Sequence, residues 1–282
     1  MSEQGQLIRL TGAGEEIPDF NHVPIIGFGR TGQAILNEET LRNGPPSDYW
    51  LITDQAEAPS LGTTASHGWP KVQAALGARL QNAPFAIFVG SAADPAASDF
   101  REHLGPMIQA HTTPTLWFKA PSETPEAHPH LADQVLVSCW GDGPTDPAAW
   151  HLQLLWGLLR GVSDFTLVGQ DPADLREVLN GQEVWHNRGA GTGPDRVKQA
   201  FEEAIPNLEA NNEIGRTVHG FIGNIAAPPG FSMTEIEEAL EKMQELPPNQ
   251  EEHNVSQLLG VSVSDHPEKQ NPAELFIDFF TS

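Results

Sequence analysis

Short apolar runs alternate with amphipathic stretches through the first half of the chain. The amphipathic stretches predict helices at 33–38, 71–80 and 99–109. The apolar runs predict strands at 23–26, 49–53, 84–89, 115–118 and 134–138. Because apolar strands that alternate with helices form parallel sheets covered on both faces, this half predicts a Rossmann-like α/β domain with at least five strands.

A long segment at 147–161 carries large apolar side chains on nearly every side of a helix. They are Trp150, Leu152, Leu154, Leu155, Trp156, Leu158 and Leu159. A helix that is apolar all round is buried on most sides. The pattern therefore predicts a central helix inside the molecule.

The last third of the chain has a different pattern. It predicts amphipathic helices at 195–209 and 232–246 and strands at 217–226, 256–263 and 274–281. Ser232 and Glu235 have the spacing of a capping box at the start of the second helix. We therefore expect a Rossmann-like domain at 20–146, the central helix and its following loop at 147–194, and a smaller α/β domain at 195–282.

The composition is that of a globular protein with a strong acidic excess. Hydrophobic residues make up 39% of the chain, and 38 Asp and Glu against 15 Lys and Arg give a formal net charge of −23. The electrostatic field of this net charge repels nucleic-acid phosphates and anionic lipids. We expect neither nucleic acid nor a membrane as a direct partner.

The cysteine and histidine content of the chain predicts neither an internal disulfide nor a metal site. The only cysteine, Cys139, excludes an internal disulfide and lies in an apolar run that predicts a buried thiol. The 11 histidines are scattered, so no metal site is predicted.

The first ten residues lack a basic region followed by an apolar stretch, and no window of apolar residues is long enough to span a membrane. The expected location is the cytoplasm.

A glycine-rich turn follows the first predicted strand. Gly27, Gly29 and Gly32 let the backbone turn tightly and approach a ligand, and the helix start beyond them offers amides to phosphate. Asp54 ends the second strand, where a carboxylate could bind ribose hydroxyls. Two interpretations stay open: nucleotide binding, or close packing for the glycines and capping of the next turn for Asp54.

The segment behind the central helix indicates which nucleotide fold to expect. The helix closes with Gly-Val-Ser-Asp-Phe at 161–165, and Asp-Pro-Ala-Asp-Leu-Arg-Glu-Val follows at 171–178, before a glycine-rich stretch at 189–193 and an amphipathic helix. This ordered set resembles the FtsZ family of the FtsZ/tubulin superfamily. Residues 27–35 resemble the family's first phosphate loop, and 52–56 resemble its Asn-Thr-Asp-x-Gln-Ala segment. The resemblance covers residues 20–282 and implies the FtsZ/tubulin fold and a cytoskeletal or cell-division role.

The resemblance also implies a GTP site that two subunits share. The implied pocket residues are Gly27, Gly29, Arg30, Gly32, Gln33, Asp54 and Gln153. Asp171 and Asp174 fall on the two carboxylates that reach the neighbouring subunit's γ-phosphate and orient the attacking water. Magnesium is expected only if GTP binds. The other interpretation is that both carboxylates simply favour a helix start through its dipole.

The phosphate region departs from the family's pattern. The glycine-rich loop expected after the third strand is replaced by Gly-Ser-Ala-Ala-Asp-Pro-Ala-Ala-Ser-Asp at 90–99, where one glycine remains. Proline removes a backbone donor, and Asp94 and Asp99 repel a triphosphate. Arg30, inside the first phosphate loop, could pair with phosphate, with Asp54 or with Asp94.

Three further departures fall on polar positions of the family. Ile52 and Gly169 each replace an asparagine, and Gln153 stands where the family has an aspartate that binds the base. We therefore expect weak or absent GTP binding and hydrolysis. The protein would act by self-association or by binding another tubulin-like filament protein rather than as an enzyme.

Two further expectations concern recruitment and an alternative class of function. The chain ends at Ser282 directly after the last predicted strand, so the linker and terminal peptide by which FtsZ proteins reach membrane-tethering partners are not expected. The alternative is a nicotinamide-dependent oxidoreductase that uses the glycine turn and Asp54. No Tyr-x-x-x-Lys pair supports this alternative, because Tyr49 is the only tyrosine and no lysine follows it at that spacing.

Overall fold

The computed structural model describes residues 6–10, 23–37, 48–53, 62–81, 83, 85–90, 96–110, 115–118, 134–139, 147–162, 166–179, 183–204, 220–246, 256–263 and 274–281. The chain divides into two compact units. The first contains Met1–Ser138, Asp142–Gln153 and Asn180–Gln182. The second contains Cys139–Gly141, Leu154–Leu179 and Glu183–Ser282.

The first unit is built on a mainly parallel sheet. Its described strands are β1 (Gln6–Leu10), β2 (Pro24–Phe28), β3 (Asp48–Thr53), β4 (Gly62–His67), β5 (Ala86–Val89), β6 (Thr115–Phe118) and β7 (Gln134–Cys139). They lie in the order β4-β1-β3-β2-β5-β6-β7. The pairs from β3 through β7 in that order are parallel, which confirms the predicted parallel sheet of at least five strands.

β1 and β4 are not among the strands predicted from the sequence. Both strands run antiparallel to their neighbours and extend the sheet beyond β3. β4 reads Gly-Thr-Thr-Ala-Ser-His and contains no large apolar side chain. A strand of this kind at a sheet edge has no hydrophobic alternation that a sequence pattern could detect.

Three helices accompany this sheet: α1 (Gly29–Ile35), α2 (Trp69–Leu80) and α3 (Ala96–Ala110). One core cluster joins α2 and α3 to side chains of β2, β3, β5 and β6, and it is rich in aromatic rings. Phe88 stacks on Trp117 with ring centroids 4.7 Å apart. The burial of these large rings supplies much of the apolar stabilisation of the unit.

The second unit combines a mixed sheet with helices. Its elements are the end of α4 (Pro147–Leu159) from Leu154 onward, a 3-10 turn (Arg160–Val162), β8 (Thr166–Val168), α5 (Pro172–Leu179), β9 (Glu183–Gly191), α6 (Arg196–Ala204), β10 (Gly220–Ala227), α7 (Met233–Gln244), β11 (Ser256–Val263) and β12 (Leu275–Thr281). The strands lie in the order β9-β12-β10-β11-β8. Only β10 and β11 are parallel among these pairs.

Two sequence predictions are confirmed locally in this unit. The predicted buried helix is α4, whose residues Leu154, Leu155 and Leu158 are fully buried. At the start of α7 the Glu235 N–H donates to Ser232 Oγ at 3.3 Å, and the Ser232 N–H donates to Glu235 Oε2 at 2.8 Å. The capping box therefore satisfies two amides that the helix itself leaves open.

The glycine-rich stretch before α6 lies partly inside a strand. Gly189 and Gly191 belong to β9, whereas Gly193 follows it with a φ of +75° in a turn. A Cβ at Gly189 or Gly191 would collide with the carbonyl oxygen of Ala200 or Arg196 in α6. These two glycines therefore allow the backbone of α6 to lie directly on the strand.

No helix among the described residues is long and apolar enough to cross a membrane.

Candidate functional site

The strand order of the first unit marks the place where a ligand would bind. β2 lies between β3 and β5, so the direction of successive connections reverses at its carboxyl end. Open parallel sheets bind ligands in the crevice at such a point. A small, open recess lies there. It is lined by Phe28, Gly29, Ile52, Thr53, Trp69, Asp99 and Phe100.

The glycine turn is explained first of all by packing. Gly29 has a φ of +64°, a left-handed conformation that favours glycine, and it begins α1. A Cβ at Gly27 would lie 2.8 Å from Leu36 Cδ1, and one at Gly32 would lie 2.9 Å from the Val89 carbonyl oxygen. Gly27 and Gly32 thus let α1 lie close to β2 and β5. Their contact with a nucleotide stays a prediction.

An aromatic side chain fills the space beside this turn. Phe28, the last residue of β2, is buried, and its ring stacks on Phe100 at a centroid distance of 4.8 Å. A Cβ at Gly90 would lie 2.6 Å from ring atoms of Phe28. The one glycine that remains in the 90–99 segment therefore makes room for the Phe28 ring.

The described lining of the recess is mostly apolar and aromatic, with polar groups from Gly29, Thr53 and Asp99. Phe28, Trp69 and Phe100 present rings, which carry no strong donor toward an anion except the indole N–H of tryptophan. Asp99, in the first turn of α3, adds a carboxylate to the lining. A negative charge at this place repels a triphosphate.

The remaining predicted pocket residues are distributed as follows. Arg30 is exposed in the first turn of α1, and Gln33 is partly exposed on the same helix. Gln153 is partly exposed on α4. Asp54 and Asp94 lie outside the described residues. The roles of all these residues toward a nucleotide stay predictions.

Asp171 and Asp174 are exposed in the second unit, at the start of α5. We call residues 171–174 the acidic turn. The carbonyl oxygen of Asp171 accepts the N–H of Asp174 at 3.0 Å and that of Leu175 at 3.1 Å. Asp171 thus stands immediately before the helix, and Asp174 lies in its first turn, where carboxylates favour the helix dipole. A role at the start of the helix therefore explains the position of both carboxylates. The action of Asp171 and Asp174 on a neighbouring subunit stays a prediction.

Sequence reasoning missed a buried ionic cluster in the second unit, formed by Asp278, Arg188, His186 and Arg160. Asp278, on β12, is fully buried. Arg188 donates to it from Nε at 2.7 Å and from Nη2 at 3.0 Å. His186 Nε2 lies 2.8 Å from Oδ1, and Arg160 Nη1 donates to Oδ2 at 3.2 Å. The cluster joins β9 and β12 to the turn that ends α4.

The charges of the cluster control the ionisation of Asp278. Burial by itself would raise the pKa of this carboxyl. The positive charge of Arg188, the hydrogen bond and charge of His186, and the charge of Arg160 outweigh burial and lower the pKa well below its ordinary value. The sequence signal for the cluster is a single acid inside the otherwise apolar strand Leu275–Thr281.

No group of three His, Cys, Asp or Glu side chains in the described ranges is arranged to hold a metal ion.

Comparison with solved structures identifies the fold. A point mutant of FtsZ from M. jannaschii matches with a TM-score of 0.66 and 12% identity, over 93% of this chain and 91% of that chain. An empty FtsZ dimer from M. jannaschii matches with a TM-score of 0.61 and 12% identity, over 93% and 89% of the two chains. The protein has the FtsZ/tubulin fold.

A third matching structure is that of TubZ. The GDP-form protofilaments of TubZ from Bacillus thuringiensis serovar israelensis match with a TM-score of 0.53 and 13% identity, over 93% of this chain and 85% of that chain. No protein-family model and no curated protein sequence matches the chain. The fold predicted from the ordered motifs is therefore confirmed by structure, at identities that show the fold alone.

Proposed function

We propose that this protein is an FtsZ/tubulin-like cytoskeletal or cell-division-related protein that acts by association, with weak or absent GTP binding and hydrolysis. Its partner would be a second copy of itself or another tubulin-like filament protein. The proposal is supported by the fold, and by the fact that the solved structures of this fold include a dimer of FtsZ and protofilaments of TubZ.

The observation that carries the proposal is the chemistry of the recess at the carboxyl end of β2. A triphosphate is bound by backbone N–H groups and cations at a helix start. Here the ring of Phe28 packs against Gly90 beside that start, and Asp99 contributes a negative charge. Arg30 is the exposed cation on α1 and would provide the attraction for any GTP that binds. Magnesium would enter only together with GTP.

The proposed association surface is the acidic turn of the second unit. Asp171 and Asp174 are exposed, and β8, which precedes the turn, carries Leu167 with 57% of its surface exposed. Carboxylates around an apolar side chain suit a partner surface with a cation beside apolar area. Arg30 of a second copy offers such a cation near the aromatic recess. The contact would replace the role of the nucleotide as a bridge between subunits.

Neutralising the acidic turn is expected to weaken association without affecting folding. In the combined variant Asp171→Asn and Asp174→Asn, we expect the dissociation constant to rise about tenfold or more, because two charge-assisted contacts are lost. Sedimentation velocity over a concentration series, with and without GTP, measures this change. The control is Glu237→Gln, which removes an exposed carboxylate from α7.

Three results would contradict the proposal. One is wild-type protein that stays monomeric at every concentration and binds no tubulin-like filament. Another is association that depends strictly on GTP. The third is a combined variant that associates as tightly as the wild type, because the acidic turn would then lie outside the contact.

A further inference from the structure

Gln170 links the acidic turn to the end of α4 through its backbone. It directly precedes Asp171, and its N–H donates to the carbonyl oxygen of Gly161 at 2.7 Å. Only 9% of the residue is exposed, so its side chain points into the unit while Asp171 points to solvent. Gln170 Oε1 approaches Gly161 so closely that no Cβ could be placed there. The backbone of Gln170 therefore bonds to Gly161, and its side chain packs against the same glycine.

Asn224 reaches the same place from β10. It is fully buried, and its Nδ2 donates to the carbonyl oxygens of Gly157 at 2.8 Å and Leu158 at 3.3 Å. These carbonyls belong to the last turn of α4, where helices leave their acceptors without intrahelical donors. A Cβ at Gly161 would lie 2.5 Å from Asn224 Oδ1. Asn224 thus caps α4. Its Oδ1 faces Gly161, which the side chain of Gln170 also faces.

The two buried amides leave three polar atoms unsatisfied as they are oriented. Gln170 Nε2 and Oε1 and Asn224 Oδ1 have no hydrogen-bond partner among the described residues. A half-turn of the Gln170 amide exchanges its nitrogen and oxygen. The nitrogen then faces Asn224 Oδ1 and can donate to it, which satisfies one donor and one acceptor that burial otherwise penalises.

We propose that Gln170 is a positioning residue that holds the acidic turn in place by donating from Nε2 to Asn224 Oδ1. The turn is then connected through Gln170 and Asn224 to the last carbonyls of α4. Glycine at 161 and at 260 leaves the space in which the two amides meet, since a Cβ at Gly260 would also collide with Asn224 Oδ1. This inference rests on the proposed function of the acidic turn as an association surface.

The bond itself can be tested in the wild-type protein. The side-chain amide protons of Gln170 are expected to exchange with solvent at least about 100-fold more slowly than those of Gln199, which is exposed on α6. Nuclear magnetic resonance resolves both groups. Equal exchange rates for Gln170 and Gln199 would overturn the proposal, and this measurement requires no variant to fold.

The positioning role is tested by Gln170→Met, which keeps a side chain of similar length without a donor. We expect amide exchange at 170–175 to accelerate about 10- to 100-fold, while exchange in β10 and β12 changes less than about threefold. A residue with only a structural role would accelerate exchange in all these segments by the same factor. The control is Gln199→Met, for which we expect no change at 170–175.

Association of the full chain separates this inference from the proposed function. We expect Gln170→Met to raise the dissociation constant about three- to tenfold, because the acidic turn is no longer held in one position. Faster exchange at 170–175 with unchanged association supports the positioning role and contradicts the acidic turn as the contact. Unchanged exchange at 170–175 in Gln170→Met overturns the positioning role, whatever the association.

Discussion

Replacing Asp278 with alanine is expected to lower the free energy of unfolding by about 3–5 kcal/mol, because removing one partner of a buried ion pair leaves its counter-charge without compensation. Arg160 and Arg188 would keep their charges, and the side chain of Arg160 is only 2% exposed. Gly157 of α4 packs against the Asp278 carboxyl group. The variant would therefore lose both charge balance and packing at the end of α4.

Urea unfolding followed by tryptophan fluorescence measures this loss. Glu237→Ala is the control, since it removes an exposed carboxylate, and its effect is expected to stay within about 0.5 kcal/mol. A loss below about 1 kcal/mol for Asp278→Ala would contradict a stabilising role of the cluster.

The same cluster predicts a pH dependence with a defined sign. The pKa of Asp278 is lower in the folded protein than in the unfolded chain, where an aspartate has a pKa of about 4. Its contribution is therefore fully present above about pH 4 and is lost as the pH falls toward the folded-state pKa. The stability difference between wild type and Asp278→Ala should shrink in that acidic range.

Gly189→Ala is expected to destabilise the second unit by about 3 kcal/mol or more. The new methyl group would meet the carbonyl oxygen of Ala200 and lie 2.9 Å from the Ala204 backbone nitrogen. Backbone atoms of a helix cannot rotate away as a side chain can, so α6 would have to move off β9. Overpacking against a flexible core typically costs about 1–3 kcal/mol, and a rigid backbone raises that cost.

Thermal unfolding and far-ultraviolet circular dichroism measure the effect of Gly189→Ala. The matched control is Gly169→Ala, at an exposed glycine whose nearest atom to a new Cβ is Thr166 Oγ1 at 3.1 Å. We expect that control to change stability by less than about 1 kcal/mol. If both variants have the same midpoint of thermal unfolding, the inferred close approach of α6 to β9 is contradicted.

The parallel sheet was predictable because its strands are buried on both faces. β3 and β5 are buried along their whole length, and their predicted ranges differ from the observed ones by at most two residues. β8 and β9 were not predicted from the sequence, for two different reasons. β8 has three residues, which is too short to show alternation, and β9 contains Gly189 and Gly191, which indicate a loop when read without their helix.

The junction between β2 and α1 was predictable from the sequence, but the packing around it was not. The predicted order of strand, glycines and helix holds, but Gly27 lies inside β2, and α1 begins at Gly29 rather than after Gly32. The sequence could not show that Phe28 would pack on Gly90 and Phe100, because those contacts join residues far apart in the chain. The ionic cluster was hidden for the same reason, since Asp278 meets Arg160 across 118 positions of sequence.

The central claim is that the recess at the carboxyl end of β2 no longer serves as an efficient GTP site. Titration calorimetry of the full chain with GTP and magnesium tests it most directly, with a turnover assay on the same sample. The account predicts a dissociation constant weaker than about 100 μM and no measurable hydrolysis. Micromolar affinity with turnover that is abolished by Asp171→Ala or Asp174→Ala would contradict it.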